Sequence, residues 1–157
     1  MNWLAIIVFA YFLNAVAVTV DKFLLTKKIA NPAVYAFFIS ALSLLAILIA
    51  PWGFHWYSFN QIVLALIAGA IFSFALLFMF KAFSRNEISR LTPLMGGLQP
   101  IFIFILAWIF LGETLSAKTL LAFAVIIAGT VVVSWTRGKT DKKSYVFALI
   151  ATALFAI

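Results

Sequence analysis

The sequence predicts an all-α membrane protein with five transmembrane helices and the truncated start of a sixth. Hydrophobic residues make up 67% of its 157 residues, and charged residues only 10%. A soluble domain of this size could not hide so much apolar surface. The apolar residues form long runs, each close to the roughly 20 residues that a helix needs to cross a bilayer. Because lipid offers the backbone no hydrogen-bond partners, these runs must be helical.

Polar and aromatic residues mark where the predicted spans begin and end. Asn31 and Pro32 open the second span, with Asn as a cap and Pro at the first helical position. The aromatic stretch Pro51–Phe59 follows that span and is typical of a membrane–water interface. Gly112 and Ser116 bracket a tight turn between the fourth and fifth spans. The predicted spans are Trp3–Leu25, Pro32–Ala50, Asn60–Phe83, Ile88–Leu111 and Ser116–Trp135.

A charged segment divides the sequence into two unequal units. Residues 136–143 are polar and charged, and we predict that they form a linker after a five-helix unit of residues 1–135. The apolar run of residues 144–157 is too short to cross a bilayer. We therefore expect it to be the truncated start of a second unit.

The basic residues predict the orientation in the membrane. Ten of the eleven lie in segments on one side of the predicted bundle, and only Lys118 lies on the other. Cytoplasmic loops carry an excess of Lys and Arg. We therefore expect a multi-pass protein of the cell membrane, with its amino terminus and His55 outside. The ten residues on the cytoplasmic side are Lys22, Lys27, Lys28, Lys81, Arg85, Arg90, Arg137, Lys139, Lys142 and Lys143.

Composition argues against an enzyme, a metal site and a nucleic-acid-binding protein. The sequence has no cysteine, one histidine and four acidic residues, all four at or beyond the ends of the predicted spans. This leaves no metal cluster and no nucleophile–base pair, and no cofactor is expected. The net charge of +7 comes from basic loops between apolar runs, as in membrane proteins, and does not indicate nucleic acid as a partner.

The fourth span is the irregular one. Two prolines and two glycines within eight residues should weaken or bend the helix, and the freed carbonyls need partners that lipid lacks. Thr92, Gly96 and Gln99 share one helical face. Interrupted helices of this kind often build transporter binding sites near the midplane. A kinked packing helix, with Gln99 in one interhelical hydrogen bond, is the alternative. The helix-breaking residues form an adjoining face: Pro93, Gly97 and Pro100.

Three further side chains are candidates for a substrate cavity. Asn14 is a strongly polar residue deep in the first span, with Tyr11 and Asp21 near it on the same face. It is either a substrate contact or one end of an interhelical hydrogen bond. Ser73 lies on the third span. Lys81 ends that span, and its side chain either reaches the interface or points into the permeation path.

The sequence resembles the drug/metabolite transporter superfamily, specifically its EamA-type repeat. The most specific part is the turn at Gly112 and Glu113, preceded by a proline-containing helix. Glu113 itself could cap the following helix or pair with Lys118. The resemblance covers all five spans in order and is weaker in the first two. The matching segments are Lys81-Ala82-Phe83, Glu87-Ile88-Ser89-Arg90, Pro93-Leu94, Gln99-Pro100-Ile101-Phe102, Leu111–Ser116 and Ile127-Ala128-Gly129.

The resemblance implies a ten-helix exporter built from two inverted five-helix repeats, with the cavity between them. Helices three and four of each repeat would be prominent in its wall. The present sequence would then be the first repeat plus the start of helix six. Many family members are thought to have a cytoplasmic amino terminus, whereas the loop charges here predict the opposite.

The leading functional hypothesis is a secondary transporter that exports small metabolites by alternating access. Its expected partners are the lipid bilayer, a small-molecule substrate, and either the missing carboxyl-terminal repeat of the same chain or a second subunit. The alternative is a non-transporting scaffold or sensor, in which the polar and kinked residues only help the helices to pack. A membrane-embedded enzyme ranks third, because it would need a cluster of acids or histidines in the missing half.

Overall fold

Six α-helices and one 3-10 helix form the computed structural model, which describes residues 3–29, 31–52, 58–112, 114, 116–134 and 141–157. His55 and most of the predicted linker lie outside these residues. No strand occurs in the part of the chain that is described, so the all-α prediction is confirmed. The elements are α1 (Trp3–Lys27), α2 (Pro32–Ser43), the 3-10 helix (Leu44–Trp52), α3 (Phe59–Arg85), α4 (Ile88–Leu111), α5 (Ala117–Ser134) and α6 (Lys142–Phe155).

Helices α1, α3 and α4 are each long and apolar enough to cross a membrane. Two shorter apolar stretches, Pro32–Leu48 and Ala117–Val132, follow α1 and α4. Large hydrophobic side chains cover the outside of the bundle, and that of Phe110 is 79% exposed. Such surface is unfavourable in water and favourable in lipid. The protein is therefore a multi-pass membrane protein, with spanning length confirmed for three of the five predicted spans.

The second predicted span differs from the prediction. It was expected as one helix from Pro32 to Ala50, but the α-helix ends at Ser43 and a 3-10 helix continues to Trp52. Pro51 lacks a backbone N–H and cannot extend an α-helical ladder. A 3-10 helix of nine residues is unusually long, and Pro51 lies at its end.

Local signals explain where three of the helices begin or end. The side chain of Asn31 accepts a hydrogen bond from the backbone N–H of Ala33 at 2.9 Å, next to Pro32 at the first turn of α2, as predicted. At the start of α6, the side chain of Asp141 accepts from the backbone N–H of Lys143 at 3.0 Å. Helix α4 ends at Gly112, whose φ of 67° lies in the left-handed region that favours glycine.

Helix α3 is the centre of the bundle. It packs most extensively on α6 and also on α2 and α1, while α5 packs on α4. Phe80 and Phe83 of α3 are almost fully buried, and the ring of Tyr35 from α2 meets that of Phe80 edge-on at 4.8 Å. Helix α6 contributes small side chains, which let helices approach closely in lipid. Its buried residues are Ser144, Ala148, Ala151 and Thr152.

Polar contacts tie α1, α3 and α6 together at one end of the bundle. The ammonium group of Lys22 donates to the backbone carbonyls of Phe83 and Asn86, at the carboxyl end of α3. The amide of Asn86 donates to the hydroxyl of Ser144, and Arg85 forms an ion pair of 3.2 Å with Asp141. A cation suits this end of a helix, where carbonyls lack partners.

The pKa of Asp141 is lowered by its neighbours at this end of the bundle. The hydrogen bond from the backbone N–H of Lys143 and the nearby Arg85 guanidinium hold the pKa of the Asp141 carboxyl below its ordinary value. The carboxylate therefore stays ionised at neutral pH and continues to cap α6.

Candidate functional site

A cavity of about 960 Å³ lies between α1, α3 and α4. Ile39 of α2, Phe123 of α5 and Phe155 of α6 complete its wall. Its size falls within the range of roughly 300–1,000 Å³ typical of small-molecule sites. Each of the six described α-helices therefore contributes at least one residue to the cavity wall.

Helix α1 contributes one polar face to this cavity. Tyr11, Asn14 and Asp21 all line the wall, because residues spaced by three or seven positions lie on the same side of a helix. The carboxylate of Asp21 accepts a hydrogen bond of 2.6 Å from the hydroxyl of Tyr35, which is itself buried against Phe80. This bond fixes the carboxylate at the α1–α2 contact.

Helix α4 contributes the opposing face. It remains helical from Ile88 to Leu111 with both prolines inside it, and Thr92, Gly96, Gln99 and Pro100 line the cavity. Pro100 lacks the N–H that would normally bond to the carbonyl of Gly96. A Cβ atom at Gly96 would meet no atom within 4 Å. The backbone at Gly96 is therefore accessible from the cavity, with a carbonyl that has lost its usual donor.

Three polar side chains of this wall have no hydrogen-bond partner among the described residues. The side chains of Asn14, Thr92 and Gln99 form no hydrogen bond with any part of the chain that the structure describes. The interhelical bonds considered for Asn14 and Gln99 are thus not formed there. Within a membrane, polar groups need partners that lipid cannot supply, so these side chains are free to bind water or a ligand.

The remaining wall is apolar and rich in aromatic rings. The ring centroids of Phe104 on α4 and Phe123 on α5 lie 6.1 Å apart with the rings tilted by 53°, and those of Phe155 on α6 and Phe72 on α3 lie 5.4 Å apart. A mostly apolar pocket with a few convergent polar groups is the usual form of a small-molecule site. The phenylalanines that line the cavity are Phe80, Phe83, Phe104, Phe123 and Phe155.

The structure places two of the predicted cavity residues elsewhere. Ser73 donates to the carbonyl of Gly69 on its own helix at 3.0 Å and does not line the cavity. The ammonium of Lys81 lies 5.3 Å from the ring of Phe78 and 5.9 Å from that of Phe147, between α3 and α6. Both distances are typical of cation–π contacts, and Lys81 does not line the cavity.

Gly97 on the adjoining face of α4 packs against α5, whereas Pro100 of the same face lines the cavity. Gly97 is buried, and a Cβ atom there would lie 2.8 Å from the Cβ and 2.9 Å from the Cγ2 of Thr130 on α5. Pro93 is inside the helix but does not line the cavity. The glycine therefore permits the α4–α5 contact, whereas its neighbour Gly96 opens the cavity.

The predicted motif turn is described only in part. Gly112 forms the left-handed end of α4, and Ser116 accepts a hydrogen bond from the backbone N–H of Thr119 at 3.2 Å, at the start of α5. Glu113 lies outside the described residues, so its capping role stays a prediction.

Two features of the site were missed by sequence reasoning. Asp21 was grouped with acids at span ends, yet it belongs to the cavity wall. Its spacing from Tyr11 and Asn14 was a usable signal. The aromatic wall gave no such signal, because its rings come from four helices. Among the described residues, no group of three or more His, Cys, Asp or Glu could hold a metal ion.

Comparison with known proteins agrees with this picture. The family model of the EamA-like transporter family matches residues 1–135. No curated protein and no solved structure gives a significant match to the chain. The family match covers all helices from α1 to α5 and every cavity residue except Phe155 of α6. The chain therefore belongs to the EamA-like transporter family.

Proposed function

We propose that this protein is a secondary transporter that exports small metabolites by alternating access, and that the cavity between α1, α3 and α4 is part of its substrate path. The observation that carries the proposal is the set of unpartnered side chains, Asn14, Thr92 and Gln99, which converge on a cavity walled by aromatic rings. A scaffold or sensor would gain nothing from polar groups left without partners inside a membrane.

In this proposal Asn14, Thr92, Gly96 and Gln99 contact the substrate. The side chains offer both donors and acceptors, and Gly96 offers its backbone carbonyl. Ser73 and Lys81 are not part of the proposed site, because their hydrogen bond and ring contacts lie outside the cavity wall.

The proposed architecture has five membrane spans in residues 1–135, a linker in residues 136–143, and a second repeat that begins with α6. The shorter apolar stretches Pro32–Leu48 and Ala117–Val132 would supply the two remaining spans. The extent of the family match supports the first boundary. The second repeat would belong to the same chain or to a second subunit, and would face the first across the cavity.

Release from loaded vesicles tests the transport function. The complete protein is reconstituted into vesicles that contain a mixture of amines, amino acids, nucleosides and sugar phosphates, and efflux is followed by mass spectrometry. We expect at least one solute class to leave faster than from protein-free vesicles. If every class leaves at the rate of protein-free vesicles, the protein is a non-transporting scaffold or sensor.

Cysteine labelling tests the proposed orientation in the plasma membrane. Lys22, Arg85 and Asp141 meet at one end of the bundle, which groups three basic segments on one side. The sequence has no cysteine, so single cysteines are labelled without background. With a membrane-impermeant maleimide, we expect His55→Cys to react in intact cells, and Lys27→Cys and Lys142→Cys only after lysis. The reverse pattern would place the amino terminus in the cytoplasm.

A further inference from the structure

We infer that the cavity binds organic cations, compounds with an ammonium group on an apolar or aromatic body, and that Asp21 is their counter-ion. The inference rests on the proposed transport function, because it names the substrate class of the same cavity. The first observation behind it is which charged side chains line the cavity.

Asp21 is the one charged side chain among the described residues that line the cavity. The neighbouring cations are engaged elsewhere. Lys22, the next residue along α1, donates to the carbonyls of Phe83 and Asn86. Lys81 lies over the rings of Phe78 and Phe147. The cavity therefore contains a carboxylate with no basic partner in its wall.

The partner that Asp21 does have is neutral. The hydroxyl of Tyr35 donates one hydrogen bond to the carboxylate, at 2.6 Å, and positions it without balancing its charge. A carboxylate attracts cations and repels anions, and both effects are stronger beside an apolar wall than in bulk water. The wall therefore disfavours anionic solutes, such as sugar phosphates, and favours those with a positive charge.

The rest of the wall suits the same ligands. The faces of aromatic rings attract cations, and quaternary ammonium groups are recognised in this way in aromatic cages. Phe104, Phe123 and Phe155 supply partly exposed rings on the α4, α5 and α6 sides. The carbonyl of Gly96, deprived of its usual donor by Pro100, adds a further oxygen that can accept hydrogen bonds from an amine.

Equilibrium binding of three aromatic probes of similar size tests the inference. The probes are phenyltrimethylammonium, which is a cation, benzamide, which is neutral, and benzenesulfonate, which is an anion. Binding is measured by calorimetry on the complete protein in lipid nanodiscs. We expect the cation to bind at least about tenfold more tightly than either other probe, because it alone is attracted to the Asp21 carboxylate.

Asp21→Asn should reduce this preference to within about twofold, because the amide oxygen can still accept from Tyr35 while the charge is lost. Glu87→Gln is the matched control. It removes the same charge from an exposed side chain outside the cavity and should leave the preference unchanged. Tyr35→Phe should also preserve it, since the carboxylate keeps its charge.

Equal binding of the three probes by the unmodified protein, or a preference for the sulfonate, would overturn the inference even if Asp21→Asn failed to fold. An unchanged preference in a folded Asp21→Asn protein would also overturn it. If the proposed transport function failed instead, no solute class would leave the vesicles faster than it leaves protein-free vesicles. Efflux of neutral or anionic solutes without cation preference would sink the inference and leave the transport function standing.

Discussion

Replacing Gly96 by leucine is expected to abolish transport, reducing efflux to the level of protein-free vesicles. The substitution inserts a branched apolar side chain into the wall between Thr92 and Gln99 and covers the carbonyl that Pro100 leaves without a donor. Folding should survive, because a Cβ atom at Gly96 meets nothing within 4 Å and leucine is the better helix former. The measurement is the initial rate of efflux, normalised to protein recovered in the vesicles.

Gly69→Leu is the matched control for this result. Gly69 is also a helical glycine at which an added Cβ atom would meet nothing within 4 Å, but it does not line the cavity. Its leucine variant should transport at close to the normal rate. If Gly96→Leu transported equally well, the α4 face would be a packing surface, and the substrate path would lie elsewhere.

Replacing the next residue, Gly97, by alanine is expected to damage stability instead. The new methyl group would lie within 3 Å of the Cβ and Cγ2 of Thr130, closer than van der Waals contact allows. The Cβ atom cannot rotate away, so α5 must shift from α4. Overpacking of this kind typically costs about 1–3 kcal/mol. We expect the thermal midpoint in detergent to fall by several degrees.

Two further variants isolate the contact. Gly96→Ala places the same methyl group one residue earlier, where space is open, and should leave the midpoint unchanged or slightly raised. Adding Thr130→Gly to Gly97→Ala removes the clashing atoms and should recover part of the loss. A Gly97→Ala protein as stable as the unmodified one would mean that the α4–α5 contact is looser than the structure places it.

Hydrophobic run length and turn residues were sufficient to predict the helical class and most helix boundaries. The starts of α2 and α4 were predicted at Pro32 and Ile88, where the structure has them. Periodicity also grouped Thr92, Gly96 and Gln99 on one face, because a regular helix fixes which side chains point together. Their contact with substrate stays a prediction.

Periodicity could not say what each helical face would meet. The sequence shows only that Lys81 ends an apolar run, which fits both an interfacial side chain and one in a permeation path. The contact of its ammonium group with Phe147 depends on where α6 packs, which the sequence does not show. Periodicity placed Asp21 on the same face of α1 as Tyr11 and Asn14, but it could not show that this face meets a cavity. The 3-10 helix after Ser43 was also missed, since its apolar residues are equally compatible with an α-helix.

The packing of α6 extends beyond the segment that matches the family. The family match ends at residue 135, before α6 begins. Yet α6 buries Ser144, Ala148, Ala151 and Thr152 against the bundle, and α3 packs on it more than on any other helix. The segment that matches the family and the set of helices that pack together thus have different boundaries. Replacing residues 1–135 by the matching segment of a relative would therefore have to keep its α3 compatible with the α6 of this chain.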